Sequence, residues 1–269
     1  MTVQRNVRRN VTTGAAGALA ATAAVMTLLA GQAHAAPVLP AGGWNGDPDT
    51  GLAATAAFGH IGSNCAPDKG SITAPSSGTR GKIWRYHKPV GSDRCESKGI
   101  KVTDDVTGAP VMHDFTPRAG EANKYYLGWE SRLSSTVDNH AIFQWKSYPE
   151  GLQNWPVVLK VVNNKLTLIH RTTATPVPVT LWQKDILPND WNHIVLGLKL
   201  SGDAAVGTIE LWINGTKQTL SNGAKEYPAR TWDTGNQPKW GLYGAALDEV
   251  NHDIDKVRVS TDYNDVKQP

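Results

Sequence analysis

Val157-Val158-Leu159-Lys160-Val161-Val162-Asn163-Asn164-Lys165-Leu166-Thr167-Leu168-Ile169-His170 sets the fold class of this chain. Two apolar, β-branched runs, 157–162 and 165–170, flank a pair of asparagines. Asparagine tolerates the positive φ that a tight type I′ turn demands, so the stretch predicts a two-stranded antiparallel hairpin. The pattern returns at Ile209-Glu210-Leu211-Trp212-Ile213-Asn214-Gly215-Thr216-Lys217, with the turn at Asn214-Gly215.

Working outward, further strand signals fall at 81–88, 99–103, 124–132, 139–148, 191–200, 238–246 and 250–259, bounded by Gly, Asn, Asp or Pro. No long stretch has the 3.6-residue period of a helix. Alternation identifies the buried faces. Ile194, Leu196, Leu198 and Leu200 share one side of their strand, opposite His193, Val195, Gly197 and Lys199; Ile209, Leu211 and Ile213 oppose Thr208, Glu210 and Trp212. Strands with one apolar face belong to a two-layer protein, so an all-β sandwich or jelly roll is predicted over 81–269.

The first 35 residues read differently. Arg5, Arg8 and Arg9 precede an Ala-rich apolar run that ends at Ala33-His34-Ala35. A charged start, a short apolar run and a small-x-small site make a secretory signal peptide cut after Ala35. The run is shorter than the ~20 apolar residues of a membrane span. The chain holds 27 Lys+Arg and 24 Asp+Glu; losing three Arg with the leader leaves 24 of each. A neutral body argues against a nucleic-acid partner, and attraction for any polyanion must come from a local cluster of cations. Residues 36–80, rich in Gly, Pro, Ala and Ser, read as a loop-dominated region. Cys65 and Cys95, the two cysteines of an exported chain, are expected to form a disulfide that ties this region to the sandwich. A monomer is expected.

Candidate chemistry sits on Asn139-His140-Ala141-Ile142-Phe143-Gln144-Trp145-Lys146-Ser147-Tyr148. Strict alternation puts Ala141, Phe143 and Trp145 on a core face and His140, Gln144, Lys146 and Tyr148 on the other, interrupted by Ile142. A second strand presents Lys239 and Tyr243 on one face, with Gly241 between them as bare backbone that a ligand could approach. His87, Arg85 and Arg94 are further polar candidates. Amide, ammonium, imidazole and phenol suit β-elimination from a uronic acid. The carboxylate must be neutralised so that the C5 proton becomes acidic, a base must take that proton, and an acid must protonate the departing O4. Gln, Arg or His can serve the carboxylate; Tyr or His can move the protons. A glycosidase needs two carboxylates across the sugar, and Glu210 has no same-face partner nearby. No Gly-x-Ser-x-Gly elbow or zinc motif occurs. Ten Trp and seven Tyr against three Phe suit stacking on sugar rings as well as a core. A non-catalytic carbohydrate-binding sandwich is the alternative reading.

The runs Tyr125-Tyr126-Leu127-Gly128-Trp129, Ile142 to Tyr148, Gln153-Asn154-Trp155-Pro156-Val157-Val158-Leu159-Lys160, Trp191 to Gly197 and Pro238 to Ala245 resemble glucuronan lyases of polysaccharide lyase family 20. The resemblance implies a concanavalin-like β-jelly roll that cuts β-1,4-linked glucuronic acid, with Tyr243 as proton shuttle, Gln144 on the carboxylate and His87 beside them. It also implies a bound Ca²⁺, for which Asp233 and Asn236 are the candidate ligands. Lys146, Lys239, Arg94, His140 and Tyr148 would shape the substrate site. The Gln144 strand is similar to the Gln-x-His motif of alginate and heparin lyases, but Lys146 stands at the third position; the histidine role then passes to His87 or His140.

Overall fold

A computed structural model of the protein describes residues 39–61, 65, 71–137, 139–148, 154–172, 177–244 and 247–267, all within the unit Ala36–Pro269. The leader, Gln153 and Ala245 lie outside the described residues. Both predicted hairpins form: Asn163 and Asn164 have φ of 50° and 62°, Asn214 and Gly215 of 50° and 79°.

Numbering strands in chain order, the larger sheet runs β15 (Thr216–Lys217), β14 (Thr208–Ile213), β13 (Asn192–Lys199), β8 (Lys124–Leu133), β18 (Val250–Ser260), β4 (Trp84–Lys88) and β3 (Ser71–Thr73). Short strands β1 (Trp44–Asn45) and β16 (Tyr227–Pro228) pair on β18 and β14. A second sheet runs β12 (Val179–Asp185), β11 (Lys165–His170), β10 (Asn154–Val162), β9 (His140–Ser147), β17 (Gln237–Gly244) and β5 (Arg94–Glu96). A small third sheet orders β2 (Phe58–His60), β6 (Lys98–Thr103) and β7 (Pro110–Met112). All pairings are antiparallel, and the architecture is the expected concanavalin-like jelly-roll sandwich.

The two main sheets clamp an aromatic core. Trp129 of β8 stacks on Phe143 of β9 at 5.1 Å, and Trp240 of β17 meets both rings edge-on. Fully burying a large apolar side chain contributes about 1.5–3 kcal/mol, so this cluster is a principal glue between the sheets. Ile194, Leu196, Leu198 and Leu200 point into the same core, as the alternation requires, while Val195 and Trp212 cover the back of the larger sheet with Val266. Much of the tryptophan surplus is therefore structural: Trp44, Trp84, Trp129, Trp145 and Trp240 are all core residues.

Residues 36–80 do more than loop. They contribute β1, β2 and β3, and they place Trp44 and Phe58 in the core. Cys65 and Cys95 are disulfide-bonded, which fastens this region to β5.

Candidate active site

The side of β9 facing away from the aromatic core lies open. Because Phe143 and Trp145 point inward, Gln144 and Lys146 point outward. Lys239 of β17 lies directly opposite Gln144, and Tyr243 lies opposite Arg94 of β5. Cross-strand partners share a face. These side chains converge with Tyr148, Trp155, Lys98 and His60 on a cleft of about 360 Å³. Tyr243 and Gln144, a hundred residues apart in sequence, thus line one hollow.

Beneath it lies a carboxylate of β5, in the segment Arg94-Cys95-Glu96. Glu96 is 2% exposed; it accepts hydrogen bonds from Gln144 Nε2 and Lys239 Nζ, both at 2.5 Å. Arg94 Nε lies 3.6 Å from the same carboxylate. Glu96 therefore fixes which way the Gln144 amide faces and leaves that amide a second N–H for a ligand. Arg94 also packs on Tyr243, its guanidinium carbon 4.5 Å from the ring centroid. On the far side Lys98 Nζ sits 3.8 Å from the Tyr148 ring centroid.

Four cations, Arg94, Lys98, Lys146 and Lys239, surround the cleft, and their crowding is felt. Burial first, then the neighbouring Lys239, bring Lys146 down to about 8. Burial, again with Lys239, lowers Lys98. Burial raises Tyr148, with Glu96 adding to the effect and Arg94 opposing it, so this phenol stays protonated and keeps its O–H to donate. A chain with a formal net charge of only +3 thus carries a concentrated positive site, as attraction for a polyanion requires.

Several expected positions need correction. His87 lies on β4 in the larger sheet, where its Nδ1 is 2.9 Å from Asn251 Oδ1, and it does not line the cleft. His140 is fully buried beside His252. The cause is a register irregularity in the middle of β9, between the pairs Leu159–Phe143 and Lys160–Ala141. A bulge reverses which face the residues beyond it take. Ile142 accordingly joins the core, Ala141 pairs with Tyr243 on the cleft side, and His140 pairs with the core residue Val161. Gly241 is not a gap for ligand. At φ +134° its missing Cβ would meet Cys95 O at 2.2 Å, so β5 occupies that space.

The imidazole that does reach the cleft is His60. It pairs across β2–β6 with Lys98, and the two build one wall. The three-residue strand Phe58–His60 is too short for periodicity to reveal, which is why it disappears among loops in the sequence.

The implied Ca²⁺ finds no support at Asp233 and Asn236. One Asp233 oxygen pairs with Arg230; the other accepts from Ser147 Oγ at 2.8 Å and Asn154 Nδ2 at 3.1 Å. The Asn236 side-chain oxygen Oδ1 accepts the Asp233 backbone N–H. Calcium takes six to eight oxygens, whereas this carboxylate is ringed by donors and a guanidinium, so the pair does not fit that ion. Among the described residues no cluster of three His, Cys, Asp or Glu is placed to hold a metal.

The fold and the cleft together define a β-sandwich with a cationic, partly aromatic groove suited to an acidic carbohydrate. Residues 91–261 match the family model described as polysaccharide lyase, and the chain belongs to that family, whose members are enzymes acting on polysaccharides. Among solved structures, an endo-β-1,4-glucuronan lyase from the fungus Trichoderma reesei superposes with a TM-score of 0.55 at 19% identity, covering 78% of this chain and 96% of the other. The cellulose-induced protein Cip1 superposes with a TM-score of 0.54 at 9% identity, covering 81% and 97%. At these identities the likeness concerns the fold. No curated protein sequence matches the chain. Among the described residues no helix is long and apolar enough to cross a membrane.

Proposed function

We propose that this polysaccharide lyase is secreted and cuts a uronic-acid polymer, β-1,4-glucuronan foremost, by β-elimination. One observation carries the substrate class: Arg94, Lys98, Lys146 and Lys239 crowd a cleft whose floor holds the single buried carboxylate Glu96 among the lining and supporting groups described above. Burial and, after it, the neighbouring cation Lys239 lower Lys146 and Lys98, and a ligand bearing carboxylates relieves that crowding.

In this reading Gln144, Lys146 and Lys239 receive the uronate carboxylate and offset the charge that develops when C5 loses its proton. Tyr243, entering as the phenolate beside the Arg94 guanidinium, takes that proton and, now a phenol, returns it to the departing O4. In glucuronic acid the C5 hydrogen and the C4 oxygen lie on the same face of the ring, so one phenol can perform both transfers. In galacturonic acid they lie on opposite faces, and a single phenol cannot. His60 stands at the cleft wall as a further polar contact for substrate. Secretion rests on the leader-like first 35 residues and on the disulfide, which an oxidising compartment favours.

The test is ultraviolet absorbance of the unsaturated product with glucuronan, alginate, heparin and pectate as substrates. Signal from glucuronan, none from pectate and none from Tyr243→Phe is the expected result. Full activity in Tyr243→Phe would remove the phenol from the mechanism, and reducing ends released without the chromophore would make the enzyme a hydrolase.

A further inference from the structure

Trp155 lies half-buried at the start of β10 and lines the cleft together with Lys146. Arg171, one residue past β11, packs on it with the guanidinium carbon 4.8 Å from the ring centroid. The placement follows from register: Ser147 of β9 pairs with Asn154 of β10, and the Arg171 amide donates to Pro156 O at 3.0 Å. Lys146, Trp155 and Arg171 are thus neighbours across three successive strands.

Arg171 is unusual in what it lacks. Its Nε is buried with no hydrogen-bond partner among the described residues, and no carboxylate there forms an ion pair with it. Its charge is close enough to Lys146 to help lower that lysine's pKa. Lys239 and Arg94, by contrast, lie against Glu96. Among the described residues, no carboxylate pairs with Arg171 at the Trp155 end. A buried guanidinium N–H with no acceptor costs free energy unless something outside the chain supplies one. The indole offers a flat apolar face for a sugar ring, and the guanidinium beside it is a planar donor matched to a carboxylate.

We propose that Trp155 and Arg171 form a second subsite, which binds a uronate unit of the polymer next to the one whose C4–O bond breaks. The sugar ring packs on Trp155, and its carboxylate accepts hydrogen bonds from Arg171. This deepens the reading of the cleft as a uronan site and rests on it. Because this subsite holds a sugar that does not react, it acts on chain binding and on how many units must be present for a good substrate.

The experiment measures binding without turnover. In protein carrying Tyr243→Phe, affinity for a glucuronate hexasaccharide is determined by calorimetry, alone and combined with Arg171→Gln or Trp155→Ala. Cellohexaose, which lacks carboxylates, is the neutral control. The expected loss with Arg171→Gln is about tenfold for the uronate ligand, the scale of one charge-assisted hydrogen bond, and little for the neutral one. Trp155→Ala should weaken both. Unchanged hexasaccharide affinity in Arg171→Gln overturns the subsite, whatever the lyase assay shows. If the wild-type protein eliminates none of the four polymers yet hexasaccharide binding depends on Arg171, the subsite stands and the lysis of uronans falls. Arg171 is half-exposed in the folded protein, so its variant decides the matter even where Trp155→Ala does not fold.

Discussion

Replacing Glu96 by Gln removes one negative charge from beneath the cleft while keeping the side chain's shape. In the wild-type protein this carboxylate is 2% exposed and Lys239 5% exposed, and they are joined at 2.5 Å. Removing one partner of a buried pair leaves the other charge uncompensated, which costs about 3–5 kcal/mol. Lys239 opens onto the cleft, where water partly solvates it, so the lower end, about 3 kcal/mol, is expected. For a domain of this size that corresponds to a drop of about 6–12 °C in Tm. Activity should fall as well, because the Gln144 amide loses the acceptor that orients it and Lys239 is free to turn. Denaturant titration of Glu96→Gln, Lys239→Met and the double variant separates the effects. Since removing both members of such a pair can be nearly neutral, the double variant should be more stable than Glu96→Gln alone, with a coupling energy of at least about 1 kcal/mol. Additive losses, or a Glu96→Gln protein within about 0.5 kcal/mol of wild type, would show that the carboxylate does not organise the site.

Four further outcomes follow from the same geometry. Lys146 has its pKa lowered from 10.5 to about 8, so the unfolded chain binds more protons than the folded one between those values. Its contribution to stability is therefore unfavourable below pH 8 and is relieved as pH rises towards 10.5; Lys146→Met should flatten that part of the stability–pH curve. The same loss of charge predicts that KM for a uronan rises above pH 8 and that Lys146→Arg suppresses the rise, whereas identical KM–pH profiles would count against Lys146 touching substrate. The Cys65–Cys95 bridge closes a 30-residue separation, so a double Ser variant should lose about 3–4 kcal/mol in the chain-entropy model, read by denaturant titration. Gly241→Ala would force a Cβ to within 2.2 Å of Cys95 O at a φ of +134°; a cost of about 3 kcal/mol or more, or loss of soluble protein, is expected, and a mild effect would mean that β5 can move.

The side-chain period of a strand explains which expectations survived contact with the structure. Along β13 and β14 alternation runs unbroken, and the buried faces are those the sequence marks. The Asn163-Asn164 and Asn214-Gly215 turns were equally legible, because positive φ is a local demand that only a few residues meet. Gln144, Lys146, Lys239 and Tyr243 were legible for the same reason, since each lies on a stretch whose parity is fixed by a neighbouring tryptophan or phenylalanine. The edge strand β12 was missed because five of its seven residues are exposed, so no apolar stripe marks it.

By itself, then, the amino-acid order determined the class of fold, the hairpins and most of the polar groups that meet in the cleft, because these depend on local backbone preference and a two-residue period. Only the tertiary structure decided that His140 turns inward, since a bulge is a mismatch between strands and leaves no mark on either one alone. It likewise decided that β5 delivers Glu96 beneath Gln144 and that His60 closes one wall and Arg171 lies over Trp155 at the other end. Those juxtapositions join segments tens of residues apart, and their energy comes from burial and charge pairing that exist only once the sheets have closed.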